Sequence, residues 1–167
     1  MNELNHLDDS GPNTFLLIGI GNSGRGDDGL GWAFVEAIEQ KGNFRGRTVL
    51  RYQLQVEDAD LISQYDQVIF VDAHQGDLER GFSFKKCAAE KEFSFTTHHL
   101  APETIVFLCQ ELYQKKPNVH LLLIQGEKWE LDIGLSAFGE KNLAHALHFF
   151  NQEMAATSWI KKSKIPA

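Results

Sequence analysis

Cysteine and proline are scarce in this 167-residue sequence, which has two and four of them respectively. Cys87 and Cys109 are not in a C-x-x-C spacing, so the sequence indicates neither a disulfide framework nor a zinc ribbon. Cys109 belongs to an apolar series with helical spacing and is expected in the core, and Cys87 is also expected to be structural. Without repeats or a linker, the chain fits one domain with a substantial core.

Positive charge is also scarce, because the sequence has 16 Lys and Arg residues but 23 Asp and Glu residues, which gives a formal net charge of -7. Nucleic acids and anionic membranes need a basic face, so we expect neither as a partner. Residues 1–14 are polar and lack the apolar stretch of a signal peptide or membrane segment. We expect a cytoplasmic protein with a flexible lead-in over 1–14, one domain over 15–155 and a tail over 156–167.

Short apolar runs and amphipathic segments alternate along the chain. Buried strands are predicted at 15–20, 48–54, 68–71 and 119–124, with a further strand, at a sheet edge, at 81–87. Helices are predicted at 28–40, 57–64 and 102–116, and a last one begins after a cap at Ser136. This alternation predicts an α/β fold, a three-layer α/β/α sandwich with a mostly parallel central sheet.

The first predicted strand runs into Gly19-Ile20-Gly21-Asn22-Ser23-Gly24, which has the G-x-G-x-x-G spacing of dinucleotide-binding turns. In such turns, backbone N–H groups and a helix N-terminus face a pyrophosphate. Here Asp27 and Asp28 stand at that helix start and would repel the anion, by about 4 kcal/mol for each charge pair near 4 Å. The second strand is also followed by no carboxylate before Glu57 that could bind a ribose. The pattern therefore argues against NAD.

Two interpretations of the aspartate pair remain open on spacing alone. In the first, Asp27 caps the following helix and Asp28 complements its dipole, an effect of about 1 kcal/mol. In the second, Asp28 and Asp72 converge with a histidine of His98-His99 on one cation, because neighbouring parallel strands end about 4.8 Å apart. Oxygen and nitrogen ligands of this kind suit nickel, zinc, cobalt or iron.

Three segments together resemble the signature segments of the nickel-iron hydrogenase maturation endopeptidases, in the same order and spacing. They are GIGNSGRGDDGLG at 19–31, VIFVDAHQG at 68–76 and TTHHLAPET at 96–104. The resemblance spans roughly Phe15 to Phe150 and includes the Gly134-Leu135-Ser136 turn before the last predicted helix. It implies a metal held by Asp28, Asp72 and His98.

The chain also departs from the family pattern. His99 lies where the family is variable and is the second choice of ligand, and Asp28 replaces a glutamate found in part of the family. Gln53-Leu54-Gln55 stands where many members have a glycine-rich turn, which affects the expected shape of the substrate cleft. His74 is either a polar loop residue or a group that supports Asp72.

The resemblance implies an endopeptidase that removes the C-terminal extension of a nickel-iron hydrogenase large-subunit precursor after nickel insertion. Its metal would be nickel, bound to the protein or supplied by the substrate, with zinc or cadmium as surrogates. Asp28 and Asp72 would be catalytic as well as ligands. The alternative function is that of a non-catalytic maturation chaperone that senses nickel or the metallocentre of its partner.

The sequence has no Ser-His-Asp, Cys-His or H-E-x-x-H signature, which leaves a site of carboxylates and metal. Two mechanisms are possible for such a site. The metal could polarise the scissile carbonyl or lower the pKa of a water. Alternatively, it anchors the substrate while Asp28 or Asp72 acts as base. Asn22 and the amides of residues 21–24 are candidate oxyanion donors, unless the glycines serve only close packing of strand and helix.

Overall fold

The computed structural model describes residues 14–91 and 100–156. The predicted lead-in and tail lie outside these ranges except for residues 14 and 156, so the domain boundaries stay predictions. Within the described ranges, five strands form one sheet of order β2-β1-β3-β5-β4. The strands are β1 (Phe15–Ile20), β2 (Arg47–Arg51), β3 (Gln67–His74), β4 (Phe82–Lys86) and β5 (Asn118–Gln125).

The sheet is mostly parallel, as predicted. β1 pairs in parallel with β2 and β3, and β3 pairs in parallel with β5. β4 is antiparallel to β5 at one end of the sheet, which confirms the predicted edge strand. β3 extends three residues beyond its predicted end because its pairing with β5 continues to His74. β2 ends three residues earlier than predicted.

The helices cover both faces of the sheet. They are α1 (Leu30–Lys41), α2 (Asp58–Ser63), α3 (Pro102–Tyr113) and α4 (Ala137–Ala155). α1 and α4 pack together on one face, and α2 and α3 pack together on the other. The three-layer α/β/α architecture is therefore confirmed. None of the described helices is both long enough and apolar enough to cross a membrane.

The apolar run of β1 is buried on both sides. Leu16 contributes to the core under α2 and α3, and Leu17 to the core under α1 and α4, because successive strand residues face opposite sides. Cys109 is buried in the first of these clusters, as predicted. Cys87 belongs to the same cluster, and both thiols are free. Burial raises the pKa of Cys87 to about 12, which keeps it an unreactive thiol.

The helix ends follow local chemistry. A 3₁₀ turn over Gly26–Gly29 precedes α1, so the helix begins two residues later than predicted. Gly42 ends α1 in the left-handed conformation, as expected. The predicted end of α3 is wrong: Gln114 adopts φ 51° and stops the helix before Pro117. Ser136 caps α4 as predicted, accepting a hydrogen bond from the Gly139 amide across 2.9 Å.

Candidate functional site

The sheet reverses its strand order between β1 and β3. From β1 the chain adds β2 on one side, whereas β3, β5 and β4 lie on the other. In open α/β sheets, ligands bind at such a reversal, beyond the carboxyl ends of the strands. Pairing between β1 and β3 ends at Gly19 and Val71, so Asp72 is the first β3 residue beyond that register. Its backbone pairs with Leu123 of β5 alone, not with both neighbouring strands as its central position suggests.

A pocket of about 610 Å³ lies at this reversal. The loop after β1, the segment after β2, the carboxyl part of β3 and the start of α3 all contribute to it. Its polar lining includes Asn22, Arg25, Asp28, Gln53 and Asp72. Asp28 and Asp72, which the sequence predicts to converge, therefore line one pocket at this edge of the sheet.

Asp72 is a strongly perturbed carboxylate of this pocket. Burial raises its pKa to about 7, and the negative charge of Asp28 acts in the same direction. A hydrogen bond from the Ala73 amide opposes both effects and is outweighed. A carboxyl group that titrates near neutral pH is suited to taking up and releasing a proton.

The backbone around Asp28 is fixed by the loop in front of it. The Asn22 amide donates to the Asp28 carbonyl, and the Asp28 amide donates to the Arg25 carbonyl, both across 3.1 Å. Gly21 has φ 143°, and a Cβ there would lie 2.0 Å from the Asp28 carbonyl oxygen. The turn can therefore approach Asp28 this closely only with glycine at position 21.

Asp27 has a different role from the helix cap considered above. Its side chain is fully buried, and no side chain caps either the 3₁₀ turn or α1. Its Oδ2 accepts hydrogen bonds from the Glu127 and Lys128 amides across 2.8 and 3.1 Å. The Ser136 amide donates to Oδ1 across 2.8 Å, and the Ser136 hydroxyl donates to Oδ2 across 2.6 Å. Asp27 therefore anchors the segment between β5 and α4.

Asp27 is ionised in the folded protein. Burial by itself would raise its pKa, but the hydrogen bonds from Ser136 and from the amides of Glu127 and Lys128 outweigh burial and lower it. The sequence offered one indirect signal of this function, since the resemblance includes the turn that ends at Ser136. It gave no reason to connect that turn with Asp27, which is 109 residues away.

The loop amides considered as oxyanion donors are largely used within the protein. The Gly21 amide donates to the Arg51 carbonyl across 2.9 Å, and the Gly24 amide donates to Asn22 Oδ1 across 2.9 Å. The Asn22 amide donates to the Asp28 carbonyl. Three of the four amides of residues 21–24 therefore have acceptors within the protein. This arrangement supports the alternative, that the glycines serve packing. A Cβ at Gly31, at the start of α1, would meet the Ile20 and Val71 carbonyl oxygens at 2.4 and 2.5 Å.

Two further sequence expectations are tested by this region. His74 is the last residue of β3 rather than a loop residue, and its carbonyl accepts from the Gly126 amide across 3.1 Å. Gln53, in the segment that departs from the family, lines the pocket, and its buried Oε1 has no hydrogen-bond partner among residues 14–91 and 100–156. Leu54 is buried in the core, and the Gln55 amide donates to Asp58 Oδ2. This segment forms part of the pocket wall, and the effect of its departure on the shape of the cleft stays a prediction.

The predicted third ligand cannot be placed. His98 and its alternative His99 lie in 92–99, outside the described residues. Within the described ranges, no three His, Cys, Asp or Glu side chains form a group that could hold a metal ion. The ligand set Asp28, Asp72 and His98 therefore stays a prediction. The donor chemistry fits a cation, because two carboxylates share one pocket and the charge of one raises the pKa of the other.

Comparison with known proteins gives similarity at the level of the fold. No protein-family model matches the sequence, and no curated protein matches it significantly. Among solved structures, the [NiFe] hydrogenase maturation protease HycI from Thermococcus kodakarensis KOD1 matches with a TM-score of 0.66 and 22% identity, over 86% of this chain and 93% of that one. The hydrogenase maturating endopeptidase HybD from E. coli matches with a TM-score of 0.63 and 19% identity, over 87% and 94%. The chain therefore has the α/β fold of the hydrogenase maturation proteases.

Proposed function

We propose that this protein is an endopeptidase that removes the C-terminal extension of a nickel-iron hydrogenase large-subunit precursor after nickel insertion. The observation that carries the proposal is that Asp28 and Asp72 line one pocket at the strand-order reversal. The shared fold with maturation proteases supports it, and so do the three sequence segments that resemble that family.

The proposed metal is nickel, carried by the precursor or bound beforehand, and zinc or cadmium would serve as surrogates. Asp28, Asp72 and His98 would hold it through two carboxylates and an imidazole. Bound there, a divalent metal would supply Lewis-acid polarisation of a carbonyl or activation of a water.

The two aspartates have separate tasks in this proposal. Asp72, with its pKa near 7, can accept a proton from water and return it to the leaving amine within the physiological pH range. Asp28 keeps negative charge beside it, which raises the proton affinity of Asp72 and attracts the cation. Arg25 and Asn22, also on the pocket wall, are available to orient the precursor chain.

The test is the mass of a purified, nickel-loaded large-subunit precursor after incubation with this protein. Loss of one defined C-terminal peptide is expected with the wild-type protein. Asp72→Asn should reduce the rate by at least about a hundredfold, because it removes a proposed general base. Asp60→Asn is the matched control, since Asp60 is an exposed acid at the start of α2 that does not line the pocket.

Two results would contradict the proposal. Tight binding of the precursor without any change in its mass would favour the metallocentre-sensing chaperone. Equal processing by the Asp72→Asn and Asp60→Asn variants would remove Asp72 from the chemistry.

A cytoplasmic location is part of the same proposal. The two cysteines of the chain are buried free thiols, as is usual in a reducing compartment. Fractionation of cells that express the protein with its natural N-terminus would test this location.

A further inference from the structure

We propose that Leu131 and Ile133 form a docking surface for the folded body of the precursor, next to the pocket that receives its C-terminal segment. This inference rests on the proposed function and names the part of the protein that holds the partner. The two side chains are 77% and 88% exposed, which are the highest values among the large apolar residues that the structure describes.

These residues lie on a segment that is held firmly in place. Asp27 accepts hydrogen bonds from the Glu127 and Lys128 amides at one end of the segment and from Ser136 at the other. In the middle, the Gly26 amide donates to the Asp132 carbonyl across 2.8 Å, and the Asp132 amide donates to the Gly24 carbonyl across 3.2 Å. The exposure of the two apolar side chains is therefore a fixed property of the surface.

The two exposed side chains lie on either side of a residue whose backbone is held by a bridge. Asp132 pairs with Arg25 as an isolated β-bridge, and its two neighbours in the chain are Leu131 and Ile133. Two large apolar side chains, both mostly exposed and one residue apart on an ordered backbone, mark this segment as a candidate protein contact.

The segment is continuous with the candidate site. Arg25, the bridge partner of Asp132, lines the pocket that contains Asp28 and Asp72. Asp27, the anchor of the segment, directly precedes Asp28 in the chain. A protein seated on Leu131 and Ile133 would therefore lie next to the rim of the pocket, where a terminal segment could enter.

Charge indicates the chemistry of the partner surface. Residues 127–132 contain the acids Glu127, Glu130 and Asp132 and a single lysine, Lys128, which forms an ion pair with Asp132. The whole chain is also acidic, with a formal net charge of -7. The complementary surface on the precursor is an apolar patch flanked by Lys or Arg, which would speed association and set its orientation.

The test separates docking from chemistry. The double variant Leu131→Ser/Ile133→Ser and the single variant Ile133→Ser are compared with wild type in steady-state processing of the folded, nickel-loaded precursor. We expect KM to rise about tenfold or more in the double variant with kcat nearly unchanged, as for the loss of a buried apolar contact. The thermal midpoint should not change, because both side chains are exposed.

Leu112→Ser is the matched control, since Leu112 is a 55% exposed leucine on α3. It should leave KM unchanged. Glu130→Lys should also raise KM, with an effect that becomes smaller as ionic strength rises. Binding of the precursor to the Asp72→Asn background, measured by titration calorimetry, gives the same comparison without cleavage.

The outcomes of this experiment are distinguishable. If wild type neither processes nor binds the precursor, the proposed function fails. If wild type is active and the double variant keeps the wild-type KM and affinity, the docking inference fails while the proposed function stands. A wild-type dimer in solution that the double variant converts to monomer would also overturn the inference, since the apolar pair would then bind a second copy of this chain.

Discussion

The hydroxyl of Ser136 donates to Asp27 Oδ2 across 2.6 Å while it accepts from the Gly139 amide across 2.9 Å. One side chain thus caps α4 and joins that helix to the turn that precedes α1. The neighbouring carboxylate, Asp28, lines the pocket instead. Adjacent residues of the same type therefore have a structural role in one case and a proposed chemical role in the other.

Asp27→Asn should destabilise the protein by about 2–4 kcal/mol, because an amide replaces a buried charge that accepts four hydrogen bonds. Asp28→Asn, the matched neighbour, should cost less than about 1 kcal/mol while impairing processing. Urea denaturation of both variants gives the comparison. Equal losses of stability would show that the two aspartates share the structural role.

Acid should also remove the contribution of Asp27. Its pKa is lowered in the folded protein, so its stabilisation is present above the ordinary value of 3.8 and is lost as the pH falls through the folded-state pKa. The Asp27→Asn variant should therefore approach wild-type stability only in strong acid. A stability difference that stays constant from neutral pH to about pH 2 would contradict this assignment.

Asp72→Asn should stabilise the metal-free protein at alkaline pH. The pKa of Asp72 is raised from 3.8 to about 7, so the folded state holds a proton that the unfolded state has lost, and stability falls as the pH rises through this range. An asparagine cannot ionise and avoids this loss. We expect the variant to gain roughly 1–3 kcal/mol over wild type at about pH 8 and much less at about pH 4. Thermal midpoints in the presence of a chelator measure the difference, and a pH-independent difference would contradict the raised pKa.

Gly21→Ala should be far more damaging than Gly42→Ala. Both glycines have positive φ, but a Cβ at position 42 meets no atom within 4 Å, whereas one at position 21 would lie 2.0 Å from the Asp28 carbonyl oxygen. Gly42→Ala isolates the cost of the backbone conformation, about 1 kcal/mol. Gly21→Ala adds a collision with backbone and should cost at least about 3 kcal/mol and displace Asp28. Urea denaturation of both variants is the measurement, and similar losses would show that the loop yields at this point.

His98→Ala should abolish nickel binding, and His99→Ala should leave it within a few-fold of wild type. The expectation rests on the Thr-x-His pattern that His98 completes in the segment resembling the family. Titration calorimetry with nickel, repeated with zinc, would measure both variants, and a loss of about tenfold or more identifies a ligand. The reverse result would assign the third ligand to His99.

Much of the fold could be predicted from local sequence. The run of apolar residues in β1 and the helical spacing in α1 and α4 predict which residues are buried, and each pattern lies within a single segment. The end of β3 could not be predicted in this way, since Ala73 and His74 extend the strand only because β5 lies beside them. The end of α3 at Gln114 was also missed, because a non-glycine residue adopts the left-handed conformation there.

Only part of the candidate site could be predicted from the sequence. Asp28 and Asp72 follow strands, so sheet topology brings them together, and the sequence contains that information. The pairing of Asp27 with residues 127–136 depends on tertiary contacts across the chain, and no local pattern encodes it. The raised pKa of Asp72 is also a tertiary property, because it arises from burial and from Asp28.

The anchor on Asp27 has a consequence for the order in which the protein is completed during synthesis. Ser136 follows β5 and immediately precedes α4. Its hydrogen bond to Asp27 can therefore form only after the 108 intervening residues have been translated. The sheet can begin to form on the ribosome before the anchor on Asp27 is complete. A nascent chain that stops before residue 136 would thus have the sequence of all five strands but lack the two hydrogen bonds from Ser136 that complete the anchor on Asp27.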